Sequence, residues 1–159
     1  MDDFEVFYRS CRDRLAVQVA ALTGDPIEAV DHVQEAFIRA WSRWPRVSAL
    51  DDPEGWVRRV AHNLAVSRFR KARRMLLGLP RGAGRVEFQP TQTALLDALA
   101  TLPHRERAAL VLKHHVGLSV AEVAAELRAP EGTVKSWLSR GRTRLAGVLA
   151  DAEGDAGST

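Results

Sequence analysis

Apolar residues recur at spacings of three and four along nearly the whole chain, and no stretch alternates with a period of two. The pattern predicts helices and no strands. A first helix runs from about Asp3 to Leu22 and is stopped by "TGDP". A second runs from about Pro26 to Trp44, with Asp25 as N-cap, proline in the first position and an apolar stripe of Ile27, Val30, Val33, Phe37, Ile38 and Trp41. "PRVSALDD" reads as a loop, and Asp52 then caps a third helix that opens with Pro53 and reaches about Arg74. Residues 76–92, "LLGLPRGAGRVEFQPTQ", lose the period and gain glycine and proline, as a linker does. "GLPRGAGR" is no nucleotide loop, having neither a Gly-Lys-Ser/Thr ending nor a preceding strand.

A second block opens near Thr93. "ALLDALATL" and "HRERAALVLKHHVG" read as two helices, with Gly117 ending the second. "SVAEVAAEL" is a short helix in which Ser119 and Glu122 form a capping box, "RAPE" is a turn, and "GTVKSWLSRGRTRLAGVLA" is a longer last helix. "DAEGDAGST" reads as a disordered tail over residues 151–159. The expected fold class is all-α: two small helical domains, 1–75 and 93–150, joined by a flexible linker.

Charge changes this picture, because it is segregated. The net charge is only +3, yet residues 57–74 carry +7 with no acid, residues 131–145 carry +3, and the remainder carries −7. Of 23 basic residues, 20 are arginine, which suits phosphate as well as a GC-rich genome. Two basic segments in an otherwise acidic chain suggest two contacts with one polyanion.

The last helix decides what its charge is for. With Val134 set at zero, Leu138, Gly141, Leu145 and Val148 fall within about 40° of it and form the buried stripe. Lys135, Ser136, Ser139 and Thr143 lie opposite, bordered by Arg140 and Arg142, with Arg144 and Trp137 near the stripe's edge. No glutamate follows Glu131 on this helix through Leu149, whereas a helix that is merely solvated usually mixes them in. A short capped helix, a tight turn and a second helix with a small-polar, basic outer face make a helix-turn-helix, the second helix of which can enter a major groove. Thr133 and the free N–H groups near Gly132 can face a phosphate. An ordinary antiparallel helix pair with a solvated face is the plainer alternative.

Four stretches in order resemble the extracytoplasmic-function group of the sigma-70 family, the promoter-recognition subunits of bacterial RNA polymerase. "DHVQEAFIRAW" is similar to that family's polymerase-binding motif, and "DDPEGWVRRVAHNLAVSRFRKARR" to its helix for melting and reading the minus-10 element. "ATLPHRERAALVLKHHVGLSVAEVAAEL" and "PEGTVKSWLSRGRTRL" are similar to its minus-35-binding domain. The resemblance covers about residues 4–149. It implies docking on the clamp helices and flap of core RNA polymerase, with Asp31, Gln34, Glu35 and Arg39 on the clamp helices. It implies minus-10 contacts by Arg58, Arg59, His62, Asn63, Ser67, Arg70 and Lys71, with Asn63 and the loop Val47–Asp52 holding a flipped base. It also implies minus-35 contacts by Lys135, Ser136, Ser139 and Arg140, bordered by Glu131, Gly132, Thr133 and Arg142. Promoter DNA, duplex and single-stranded, is then a partner. The family admits an anti-sigma factor too, which leaves no readable mark here. Two departures stand out: Arg128 sits where the family commonly has glycine, and Trp137 where a polar residue is frequent.

Taken alone, these residues keep other readings open. Asp31 and Glu35 are like charges at i, i+4 that an arginine-bearing partner would relieve, but Glu35 can also pair with Arg39 on a solvated face. Trp41 and Trp56 suit a core at least as well as a stacking platform. A free-standing helix-turn-helix regulator and a sigma-like protein that sequesters a regulator are the alternative functions. An enzyme finds little support, since the five histidines have no metal-ligand spacing, and no cofactor is expected. The chain has no apolar run of membrane length, opens with acids rather than a signal core, and has one cysteine, so a cytoplasmic protein without membrane insertion is expected.

Overall fold

The computed structural model describes residues 2–67, 75–78 and 87–157. The chain divides into two compact units, Met1–Phe88 and Gln89–Thr159. Every regular element among the described residues is helical.

In the first unit, α1 (Asp3–Thr23) is capped by the Asp2 side chain and ends at Gly24, whose left-handed φ of 73° lets its N–H reach the Ala20 carbonyl. Helix α2 (Pro26–Ser42) starts as expected, with the Asp25 carboxylate accepting the Glu28 N–H at 3.1 Å. It stops two residues short of Trp44, and the expected loop opens with one more turn, α3 (Trp44–Val47), which buries Val47. The Asp52 carboxylate accepts the Gly55 N–H at 2.9 Å and opens α4 (Pro53–Val66). This helix ends earlier than the sequence suggests: Ser67 is already extended, its φ and ψ being −71° and 111°. Asn63, Val66 and Ser67 are weak helix formers, so little opposes termination there. Residues 68–74, which include the expected contacts Arg70 and Lys71, lie outside the described residues.

Helices α1, α2 and α4 pack on one another around Leu15, Val19, Leu22, Val33, Phe37, Val57 and Ala61. Ala16, Ala20, Ala29, Ala36 and Ala40 are buried between them and allow close approach. Arg14 locks α1 to α4 through paired hydrogen bonds from Nε and Nη2 to the Glu54 carboxylate, at 2.7 and 2.9 Å. Phe4, Phe7, Tyr8, Phe37, Trp41 and Trp44 meet in an aromatic cluster at one end, with Phe4 edge-on to Trp41 at 5.0 Å between centroids.

The second unit begins with α5 (Pro90–Ala100), three residues before the expected start, because Pro90 occupies the first position and Gln92 Oε1 accepts the Gln89 N–H at 2.8 Å. Residues 79–86 of the expected linker lie outside the described residues, and 75–77 are helical with exposed side chains. Helix α6 (His104–Leu110) widens into a π turn over Val111–Val116, ended by Gly117 at φ 91°. Helix α7 (Val120–Leu127) carries the expected capping box, both of its bonds at 3.1 Å. Helix α8 runs from Glu131 to Ala156, so residues 151–156 continue the helix rather than forming a disordered tail. No proline interrupts them, and Gly154 alone does not stop the helix. Helices α5, α6 and α7 all pack against α8 around Leu99, Leu110, Leu112, Val123, Val134 and Leu138.

Candidate functional site

The helix-turn-helix is formed by α7, the turn Arg128–Pro130 and α8. Arg128 stands in the left-handed region at φ 54° and ψ 51°. Its N–H approaches the Ala125 carbonyl at 3.4 Å, and the Ala129 N–H reaches the Ala124 carbonyl at 3.0 Å. This is the helix stop glycine favours, so the arginine takes the glycine geometry at a steric cost. Arg105 of α6 braces the same turn. Its Nη1 donates to the Leu127 carbonyl at 3.3 Å while its guanidinium lies 5.5 Å over the Trp137 ring. Trp137 is half-buried against this arginine of its own unit.

On α8, Val134, Leu138 and Gly141 are buried as the helical spacing predicts, and Leu145 and Val148 are half-buried. Gly141 is a close-approach glycine. A Cβ there would lie 2.9 Å from Leu110 Cδ1 and 3.3 Å from the Glu106 carbonyl. Lys135, Ser136, Ser139, Arg140, Arg142 and Thr143 are all exposed, as are Glu131 and Gly132, while Thr133 is half-buried. The Ser136 hydroxyl donates to the Gly132 carbonyl at 3.2 Å and that of Thr143 to the Ser139 carbonyl at 3.1 Å, so each presents its oxygen outward as an acceptor. Arg140 and Arg144 reach back to Glu106 of α6, which is buried. Arg140 Nε lies 3.4 Å from Oε1 and Arg144 Nε 3.0 Å from Oε2, ion pairs without an aligned hydrogen bond. The chemistry of this face is cationic and hydrogen-bonding, suited to phosphates and base edges.

In the first unit the structure corrects part of the expected set. Arg58 and His62 are 4% and 6% exposed, in the interior. The reason is that α4 packs against both α1 and α2, so its buried arc spans about 180°, from Leu64 through Val57 and Ala61 to Arg58, His62 and Gly55. The opposite side brings Arg59, Asn63 and Ser67 together at i, i+4 and i+8, with Asn63 exposed.

On α2, Gln34 and Arg39 are exposed, and Asp31 and Glu35 half-buried. Arg39 Nη2 donates to Glu35 Oε1 at 3.3 Å, the solvated pairing the spacing allowed. Beside them, Ile38 and Trp41 are 68% and 56% exposed, against the core role expected of Trp41. They line an apolar groove of about 340 Å³ with Phe4, Tyr8, Gln34 and Phe37. The apolar arc of α2 is wider than a helix packed on one side needs, and that width is the sequence signal for this surface. No helix among the described residues is long and apolar enough to cross a membrane.

A helical unit with an exposed polar and apolar face, followed by a helix-turn-helix unit with an exposed basic face, has the build of a DNA-binding protein. Comparison with known families makes the class specific. Sigma-70 region 2 matches residues 7–75, and Sigma-70, region 4 matches residues 92–145. The chain is 31% identical over 160 residues to an RNA polymerase sigma-E factor of Streptomyces avermitilis, covering 97% of this chain and 89% of that protein. It is 35% identical over 127 residues to the ECF RNA polymerase sigma factor SigL of Mycobacterium tuberculosis, covering 74% of this chain and 72% of that one. The sigma factor RpoE of Bartonella quintana, solved in complex with the anti-sigma factor NepR, has the same fold, with a TM-score of 0.70 at 24% identity over 94% of this chain and 98% of that one. This chain belongs to the sigma-70 family of RNA polymerase sigma factors, in its extracytoplasmic-function group. Its partners are RNA polymerase and promoter DNA, on which it acts to start transcription.

Proposed function

We propose a division of this work between the two units. Residues 93–150 read the minus-35 duplex, with α8 in the major groove. Lys135, Ser136, Ser139 and Arg140 make the base-edge and phosphate contacts, and Glu131, Gly132, Thr133 and Arg142 border the groove. Residues 1–75 dock on the polymerase and hold the melted minus-10 strand, which Arg59, Asn63 and Ser67 meet. The docking surface is Asp31, Gln34, Glu35 and Arg39 with the apolar groove between them and α1. An exposed pair such as Glu35–Arg39 contributes little on its own, so a polymerase cation can replace Arg39. Residues 76–89, ahead of α5, serve as the linker. The chain catalyses no reaction itself, since RNA synthesis belongs to the polymerase, and it works in the cytoplasm. An anti-sigma factor would act by covering these faces.

The observation that carries this reading is the outward face of α8, which from Gly132 to Leu149 holds exposed cations and hydroxyls and no acid, directly behind a capped helix and its turn. The test is selection by the reconstituted holoenzyme from a promoter library randomised at minus-35 and minus-10, followed by run-off transcription. Lys135→Ala and Ser139→Ala are expected to relax preference at minus-35 positions alone, each by roughly 1–3 kcal/mol of discrimination. Unchanged preference in both would refute the assignment of α8.

A further inference from the structure

Glu106 of α6 is a carboxylate buried against α8. Its side chain is 7% exposed, its helix contributes no residue to the reading face, and its carboxylate lies under two cations of α8 that stand one helical turn apart. An apolar residue of similar size would fill this position without the cost of burying a charge. The position is reached only because Gly141, with no Cβ, lets α8 lie against Leu110 and the Glu106 carbonyl. The closest approach is through Nε in both arginines, whose side chains remain 58% exposed. A guanidinium has five donors, and one carboxylate cannot use those of two. Each arginine is thus drawn toward the carboxylate by charge rather than by a hydrogen bond, partly neutralised, and still able to donate outward.

We propose that Glu106 is a positioning residue that sets promoter discrimination: it offsets two cations of the recognition helix so that they contribute little to sequence-independent phosphate binding, and it fixes their outward donors for one register on the groove. The proposal rests on the reading of α8 as the minus-35 helix. Counterion release explains why it matters. Every unpaired cation that neutralises a phosphate raises affinity for any sequence, and with it the salt dependence, whereas discrimination is a ratio of two affinities.

The experiment measures binding of holoenzyme to the promoter duplex selected above and to a random-sequence duplex of equal length, each over a range of salt concentrations. Glu106→Gln keeps the shape and removes the charge. The expected result is tighter binding to the random duplex, a plot of log K against log salt steeper by about one to two, and a fall of roughly tenfold in the promoter-to-random ratio. Equal changes in both affinities with an unchanged slope would mean a merely structural role and would overturn the proposal. If Glu106→Gln does not fold by circular dichroism, Arg144→Gln decides. A cation already offset by Glu106 should flatten the salt dependence by well under the full unit expected of a free one, and a loss equal to that of Lys135→Ala would overturn the proposal. Unmodified holoenzyme that prefers no selected duplex over the random one would instead remove the minus-35 reading itself, and the proposal with it.

Discussion

Two glycines of the same helix should respond to alanine in opposite directions. In an open helix interior, alanine is better than glycine by about 1 kcal/mol. Gly147 of α8 is such a place, with nothing within 4 Å of where its Cβ would be. Gly147→Ala should therefore stabilise the second unit by up to about 1 kcal/mol. At Gly141 the same gain meets an obstacle. The new Cβ would lie 2.9 Å from Leu110 Cδ1, 3.1 Å from Leu110 Cγ and 3.3 Å from the Glu106 carbonyl. Leu110 is 5% exposed and packed on all sides, so it cannot swing clear, and the carbonyl belongs to the π-bulged helix behind it. Overpacking of this kind costs about 1–3 kcal/mol. Gly141→Ala should thus destabilise the unit by about 1 kcal/mol net, leaving the two variants roughly 2 kcal/mol apart. Native-state amide exchange of α6 and α8 in the full chain reads this unit without interference from the other. Equal stabilisation by both alanines would refute the close approach of α8 to α6, and with it the placement of Glu106 beneath Arg140 and Arg144.

Three further outcomes follow from single residues. Arg128→Gly should stabilise the second unit by about 0.5–1 kcal/mol in thermal unfolding, because glycine accepts the left-handed φ of 54° that arginine adopts at a cost. His104 accepts a hydrogen bond at Nδ1 from Arg107, which can only donate, and burial first, then the charges of Arg107 and Arg105, hold its pKa below the ordinary 6.5. Below pH about 6.5 the unfolded chain binds a proton that the folded one refuses, so stability should fall as pH drops through that value and level off under the folded pKa; His104→Asn should flatten this dependence in denaturant titrations. Cys11 is 1% exposed, with its thiol pushed up to about 11 by burial and by the Glu54 carboxylate, so Ellman's reagent at pH 8 should label it only on unfolding.

What the sequence made legible is local chemistry. Asp25 with Pro26, Asp52 with Pro53, and Ser119 with Glu122 mark helix starts because a cap and its first turn are neighbours in the chain. The stripe of Val134, Leu138 and Gly141, and the cationic face opposite, follow from one angle per residue. What stayed hidden depends on how many neighbours a helix has. Arg58 and His62 look solvent-facing beside a single apolar stripe, and are interior because α4 packs on two helices. Trp41 and Ile38 look like core, and are exposed because α2 supplies more apolar arc than its packing covers. The π turn at Val111–Val116 and the Glu106 pairings arise from the fit between α6 and α8, which no spacing within either segment encodes.

Every promoter contact of this chain depends on the proposed docking of α2 on the polymerase. Its most direct test is gel filtration of the purified chain with bacterial core RNA polymerase, with Glu35→Lys run alongside and a known sigma factor as control. Co-elution of the parent chain, lost in Glu35→Lys while the variant keeps its helical circular dichroism, is the predicted result. Co-elution that Glu35→Lys leaves intact, or failure of the parent to bind core that binds the control, would contradict the account.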